Sequence, residues 1–91
     1  KVFPDEVEEV LQSIPGVRDV AVVGIDDERL GEVPVAVVVG DTDPAEIDAR
    51  CRAHLAPYKV PARFVFVDAL PRNEVGKILR TEVQRLILAD G

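Results

Sequence analysis

Apolar residues recur along this chain at two periods, and the switch between them predicts its elements. In "FPDEVEEVLQSIPG", Val7, Val10, Leu11 and Ile14 fall at helical spacing and form one apolar stripe. Pro4 suits a first helical turn, where its missing N–H is not needed, and Asp5, Glu6 and Glu8 favour the positive end of the helix dipole. Pro15-Gly16 ends the helix. "VRDVAVVGI" and "EVPVAVVVG" then read as valine-rich strands joined by the six residues "DDERLG" (26–31), a link that suits an antiparallel hairpin. The run "VAVVV" (35–39) implies burial on both faces, and Pro34 argues for an edge position there.

The second half repeats the alternation. Asp43 is placed as an N-cap and Pro44 at the first helical position of "DTDPAEIDARCRAHL", with Ile47, Cys51 and Leu55 on one face. "APYKVP" breaks that helix, and "ARFVFV" is a third strand. "DALPRNEVGK" is a loop, and "ILRTEVQRLILA" a closing helix with Leu79, Val83, Leu86 and Ile87 inward. The order helix, strand, strand, helix, strand, helix predicts a small α+β domain over residues 1–91: a three-stranded sheet with an antiparallel hairpin, covered by about three helices.

Bulk properties narrow the function classes. The chain has 91 residues, enough for one modest core. No apolar run approaches the ~18 residues of a membrane span. A single Cys51 excludes an internal disulfide and fits a reducing cytoplasm. The chain has no Met and opens at Lys1 already running into a helix, so it is expected to be a piece of a longer protein. Net charge is −6, split into −10 over residues 1–48 and +4 over 49–91. An acidic domain is a poor nucleic-acid binder, because affinity for phosphate backbones comes from clustered Lys and Arg. The basic half could still face a small anion.

Most familiar catalytic arrangements do not fit. His54 and Cys51 are the only His and Cys, and a metal site needs three or four ligands. "DDE" (26–28) is a solvated turn. In "PRNEVGKILR", Gly76-Lys77 resembles the tail of a P-loop, but Pro71 replaces the first glycine and Ile78 the hydroxyl residue, so no phosphate cradle forms. An ordinary surface lysine in the first turn of a helix is the plain reading of Lys77. A cation there faces the positive end of the dipole, and Gly76 leaves room for close approach or an unusual backbone angle.

The segments "PDEVE", "PGVRDVAVVGIDDERLGE", "YKVP" and above all "LPRNEVGKILR" resemble the C-terminal domain of adenylate-forming enzymes, specifically acyl-CoA synthetases. The resemblance covers essentially the whole chain. It implies a two-step reaction: a carboxylic acid and ATP give an acyl-adenylate and pyrophosphate, and coenzyme A then takes the acyl group as a thioester. A large N-terminal domain would hold ATP, Mg²⁺ and the acyl pocket, with the small domain as a swinging lid. The lysine matching Lys77 would enter the cleft for adenylation, and rotation would then offer another face. Lys1, Val2 and Phe3, with Gly31 and Glu32 of the hairpin, match that second face. Gly76 is expected to let the loop approach the cleft. Arg72, Asn73 and Arg80 are expected either to steady the loop or to meet phosphates, and Tyr58-Lys59-Val60-Pro61 to form a bend.

"PRNEVGK" also resembles the pattern by which bacterial acyltransferases recognise this family's lysine, making a lysine acetyltransferase a candidate partner at Lys77. The family's hinge, nucleotide loop and acyl pocket are not among these residues, so the chain alone is expected neither to bind ATP tightly nor to turn over. The resemblance points to fatty or related hydrophobic acids. Two alternatives stay open: an adenylation domain that loads a carrier protein, and a free-standing α+β binding module with no catalytic partner.

Overall fold

A computed structural model describes residues 1–90. Its elements are α1 (Pro4–Gln12), β1 (Val17–Asp27), β2 (Gly31–Gly40), α2 (Pro44–His54), a 3₁₀ turn (Pro57–Lys59), β3 (Arg63–Phe66) and α3 (Arg80–Ala89). They form the expected α+β domain around a three-stranded sheet in the order β1-β2-β3. β1 and β2 pair antiparallel, with Val20 opposite Val38 and Val22 opposite Ala36. β3 joins β2 in parallel, which requires the crossover that α2 supplies.

The two-residue period of the strands sorts the valines onto opposite faces. Val20, Val22, Ala36 and Val38 pack with Val7, Leu11 and Ile14 around α1, and with Ile47, Cys51 and Leu55 around α2. Ala21, Val23, Val35, Val37 and Val39 pack on the other side with Val65, Leu70 and the α3 residues Val83 and Ile87. Val35 to Val39 are therefore buried on both faces, as the uninterrupted apolar run implies. Asp43 caps α2 as predicted, its side chain accepting from the Ala45 N–H, and Pro44 takes the first helical position.

Four expectations need correction. Pro34 lies in the central strand, not at an edge. It is tolerated because its carbonyl accepts from the Ala62 N–H on the β3 side, before β3 pairing begins at Val35. Carbonyl and nitrogen of an extended residue face the same side, so the missing N–H costs the β1–β2 ladder nothing. The hairpin link is also shorter than six residues, since pairing continues to Asp27 opposite Gly31. Asp27 Oδ1 accepts from the N–H groups of Arg29 and Leu30 and closes a tighter turn. The third strand is trimmed to Arg63–Phe66, although Ala62 and Val67 still donate to β2. Finally, α3 begins at Arg80, leaving Leu79 38% exposed instead of inward.

β1 is an edge strand, and side chains occupy the polar groups on its outer side. Glu8 of α1 accepts from the Val22 N–H, Arg80 donates to the Val22 carbonyl, and Gln84 of α3 donates to that of Gly24. The loop before α3 is thereby laid along β1.

Candidate functional site

That loop, residues 71–79, carries Lys77. Its ends are joined by an isolated antiparallel bridge between Arg72 and Ile78 and by the Leu79 N–H donating to the Pro71 carbonyl. Inside this frame Asn73 organises the backbone. Its Oδ1 accepts from the N–H groups of Val75 (3.0 Å) and Lys77 (2.9 Å), while its own N–H donates to the Lys77 carbonyl. Gly76 donates to the Asn73 carbonyl and has φ +87°, a left-handed conformation that costs any residue with a Cβ about 1–2 kcal/mol. Nothing would touch a Cβ there, so glycine is required by backbone angle and not by crowding.

Lys77 is exposed at the end of this turn, ahead of α3 and not in its first turn as expected. Among the described residues its ammonium pairs with no carboxylate, although eight other basic side chains do. It does not line any of five well-formed hollows on the surface, one of which Pro71 at the start of the loop does line. The loop thus presents a free cation on a fixed backbone, outside those hollows. Such a group can serve an anion held elsewhere.

The other predicted residues fall into separate places. Arg72 grips Asp19 of β1, and Arg80 reaches the Val22 carbonyl and Glu8. Val2 and Phe3 line a hollow of about 520 Å³ with Arg80 and the start of α1. Lys1 and Glu32 line another, of about 330 Å³, with Leu30 and Tyr58. Gly31, at φ +84°, opens β2 beside it. Neither hollow includes Lys77, although Arg80, at the end of its loop, shares the first with Val2 and Phe3.

One cluster escaped sequence reasoning. The ammonium of Lys59 lies 4.7 Å from the centre of the Phe3 ring and 5.6 Å from that of Tyr58, and it bonds Glu6 at 2.8 Å. The hydrogen bond to Glu6 raises the Lys59 pKa above its ordinary value. This ties the segment entering α1 to the bend at 57–59. The aromatic-basic pair in "YKVP" was the available signal, but nothing in the sequence joins it to Phe3.

Cys51 is sealed in the core, and desolvation pushes its thiol from 9.0 up to about 11, which keeps it protonated and inert. His54 is exposed on the same helix. Among the described residues no group of three His, Cys, Asp or Glu side chains could hold a metal ion. No helix among them is long and apolar enough to cross a membrane.

Comparison with known proteins decides the family. The sequence pattern described as the AMP-binding enzyme C-terminal domain matches residues 6–77, most of the chain, and ends at the exposed lysine. The chain belongs to this family. A 2-succinylbenzoate–CoA ligase of Geobacillus kaustophilus is 50% identical over 90 residues, covering 94% of this chain and 18% of the ligase. A long-chain-fatty-acid–CoA ligase of Mycobacterium tuberculosis is 45% identical over 83 residues, covering 88% and 16%. Among solved structures, a fatty acyl CoA synthetase of Mycobacterium tuberculosis superposes with a TM-score of 0.92 at 41% identity, covering 98% of this chain and 18% of that one. As an AMP-binding enzyme C-terminal domain, the chain thus spans less than a fifth of the relatives it matches.

Proposed function

We propose that this domain is the mobile C-terminal lid of an ATP-dependent acid–CoA ligase, and that Lys77 is its catalytic arm. The observation that carries the reading is the free, exposed ammonium of Lys77 on a loop whose backbone is fixed by Asn73 and Gly76. Negative charge builds on the carboxylate oxygen and α-phosphate as pyrophosphate leaves. An ammonium delivered into a closed, water-poor cleft stabilises that charge, and comparable groups contribute about 2.7–4 kcal/mol, or ~10²–10³ in rate. ATP, the acid and Mg²⁺ would be held by an N-terminal domain beyond these residues. Coenzyme A would meet the separate surface around Lys1, Val2, Phe3, Gly31 and Glu32 after the lid has rotated. Lys77 lines neither of the hollows at that surface, which favours two alternating poses over one shared site.

The relatives act on 2-succinylbenzoate and on long-chain fatty acids, so the acid here is taken as a hydrophobic carboxylate. A carrier-protein thiol is the competing acceptor, and offering each thiol to the preformed adenylate separates the two.

The test is the full-length enzyme with Lys77→Ala, timed in two half-reactions. Pyrophosphate release from acid plus ATP should fall by about 10²-fold or more, while thioester formation from supplied acyl-adenylate survives. Survival of both overturns the role given to Lys77. Acetylation of Lys77 within "PRNEVGK" removes the same charge and should give the same selective loss. An unchanged adenylation rate in stoichiometrically acetylated enzyme overturns that regulatory reading.

A further inference from the structure

We infer that Asp19 of β1 is a positioning residue for Lys77, acting through Arg72; this rests on the catalytic reading of Lys77 above. The guanidinium of Arg72 is engaged on both sides. Nη2 donates to Asp19 Oδ1 at 2.7 Å and Oδ2 at 2.8 Å, and Nε to Oδ2 at 3.3 Å. Its remaining nitrogen, Nη1, donates to the carbonyl of Gly76, the residue immediately before Lys77. Asp19 is itself held by its own strand, since Oδ1 also accepts from the Val20 N–H at 3.0 Å. A continuous polar path therefore runs from the backbone of β1 through Asp19 and Arg72 to the peptide that carries Lys77.

A second anchor holds the far end of the loop. Arg80 Nη1 donates to the Val22 carbonyl at 2.8 Å, and its Nη2 lies 3.6 Å from Glu8 Oε2. The two anchor points are three residues apart on one strand, about 10 Å at the rise of an extended chain. Lys77 is suspended between them. Val75 at the tip is 86% exposed and contributes nothing, whereas Ile78, just after Lys77, packs against the core cluster on the α3 side. The direction of the ammonium thus depends on the two clamps and on the turn built by Asn73, with Ile78 holding the chain just behind it.

The planar fork of Arg72 is essential to this role. It must meet a carboxylate with two nitrogens while a third reaches a carbonyl, and a lysine at that position keeps the charge but cannot do both. A competing role for Arg72, direct contact with substrate phosphate, makes the opposite demand on Asp19. Removing the carboxylate would then free the guanidinium and leave adenylation unchanged or faster.

The experiment uses the full-length enzyme carrying Asp19→Asn, Arg72→Lys, Lys77→Ala and the double change Asp19→Asn/Lys77→Ala. Asp19→Asn and Arg72→Lys should each slow pyrophosphate release about tenfold, through kcat and not through the KM for ATP, because small misplacements of a catalytic group are costly. Thioester formation should stay within about twofold. The double variant should be no slower than Lys77→Ala alone, since an effect transmitted through Lys77 vanishes with it. Tryptic cleavage of the bond after Lys77, followed by mass spectrometry, should accelerate in Asp19→Asn. Unchanged pyrophosphate release in Asp19→Asn, or effects that simply multiply in the double variant, overturn the positioning role. An inert Lys77→Ala instead overturns the catalytic reading. Accelerated cleavage in Asp19→Asn would still locate the anchor in that case, whereas unchanged cleavage would remove it too.

Discussion

The sheet and the Lys77 loop are neighbours held by different forces. Ala36, Val37 and Val38 have no exposed surface, and no buried polar or charged side chain interrupts the core among the described residues. The loop at 72–77 is exposed throughout and owes its shape to Asn73, Arg72 and the φ of Gly76. Burial is strong but non-directional, whereas hydrogen bonds are individually weak and directional. A segment that must project a charge outward in one orientation cannot be fixed by burial. It needs the second kind of force, and a firm body to attach it to.

The two regions should therefore fail differently. Leu11→Ala empties a fully buried site between α1 and the sheet, and should cost the 91-residue chain about 2–5 kcal/mol by chemical denaturation. A smaller loss is expected from alkaline pH. The Cys51 thiol is raised in the fold to about 11, so its contribution is complete below its ordinary 9.0 and disappears as pH rises through about 11. Cys51→Val should flatten that part of the pH–stability curve, and the wild-type thiol should resist a disulfide reagent at pH 8. Gly76→Ala should be smallest in global stability, about 1–2 kcal/mol from the left-handed φ. It should nevertheless slow adenylation more than Leu11→Ala does in enzyme that remains folded. The opposite ranking in activity would mean that the loop is ordered through the core after all.

What could be read from the sequence follows the same division. The valine periods, the Asp43-Pro44 start of α2 and the buried Cys51 were legible because burial leaves a periodic trace. The motif marked the loop that leaves Lys77 exposed, and Gly76 was legible as a glycine with a backbone reason. Asp19 was not, because its partner is 53 residues away and a carboxylate on an edge strand looks like any solvated one. A comparable separation along the chain hid the Phe3–Lys59 contact. Pro34 misled for a related reason: a proline's placement depends on which side of the strand its nitrogen faces, and the partner on that side begins one residue later.

The capped outer side of β1 has a consequence for how copies of the domain behave together. An eleven-residue strand with bare amides and carbonyls is a template for strand exchange and fibrillar stacking. Here Glu8, Arg80 and Gln84 occupy the outward groups of Val22 and Gly24 in mid-strand, and the opposite margin of the sheet, β3, is only four residues long. The side chains that lay the lysine loop along the strand thus also keep one molecule's sheet from growing into the next.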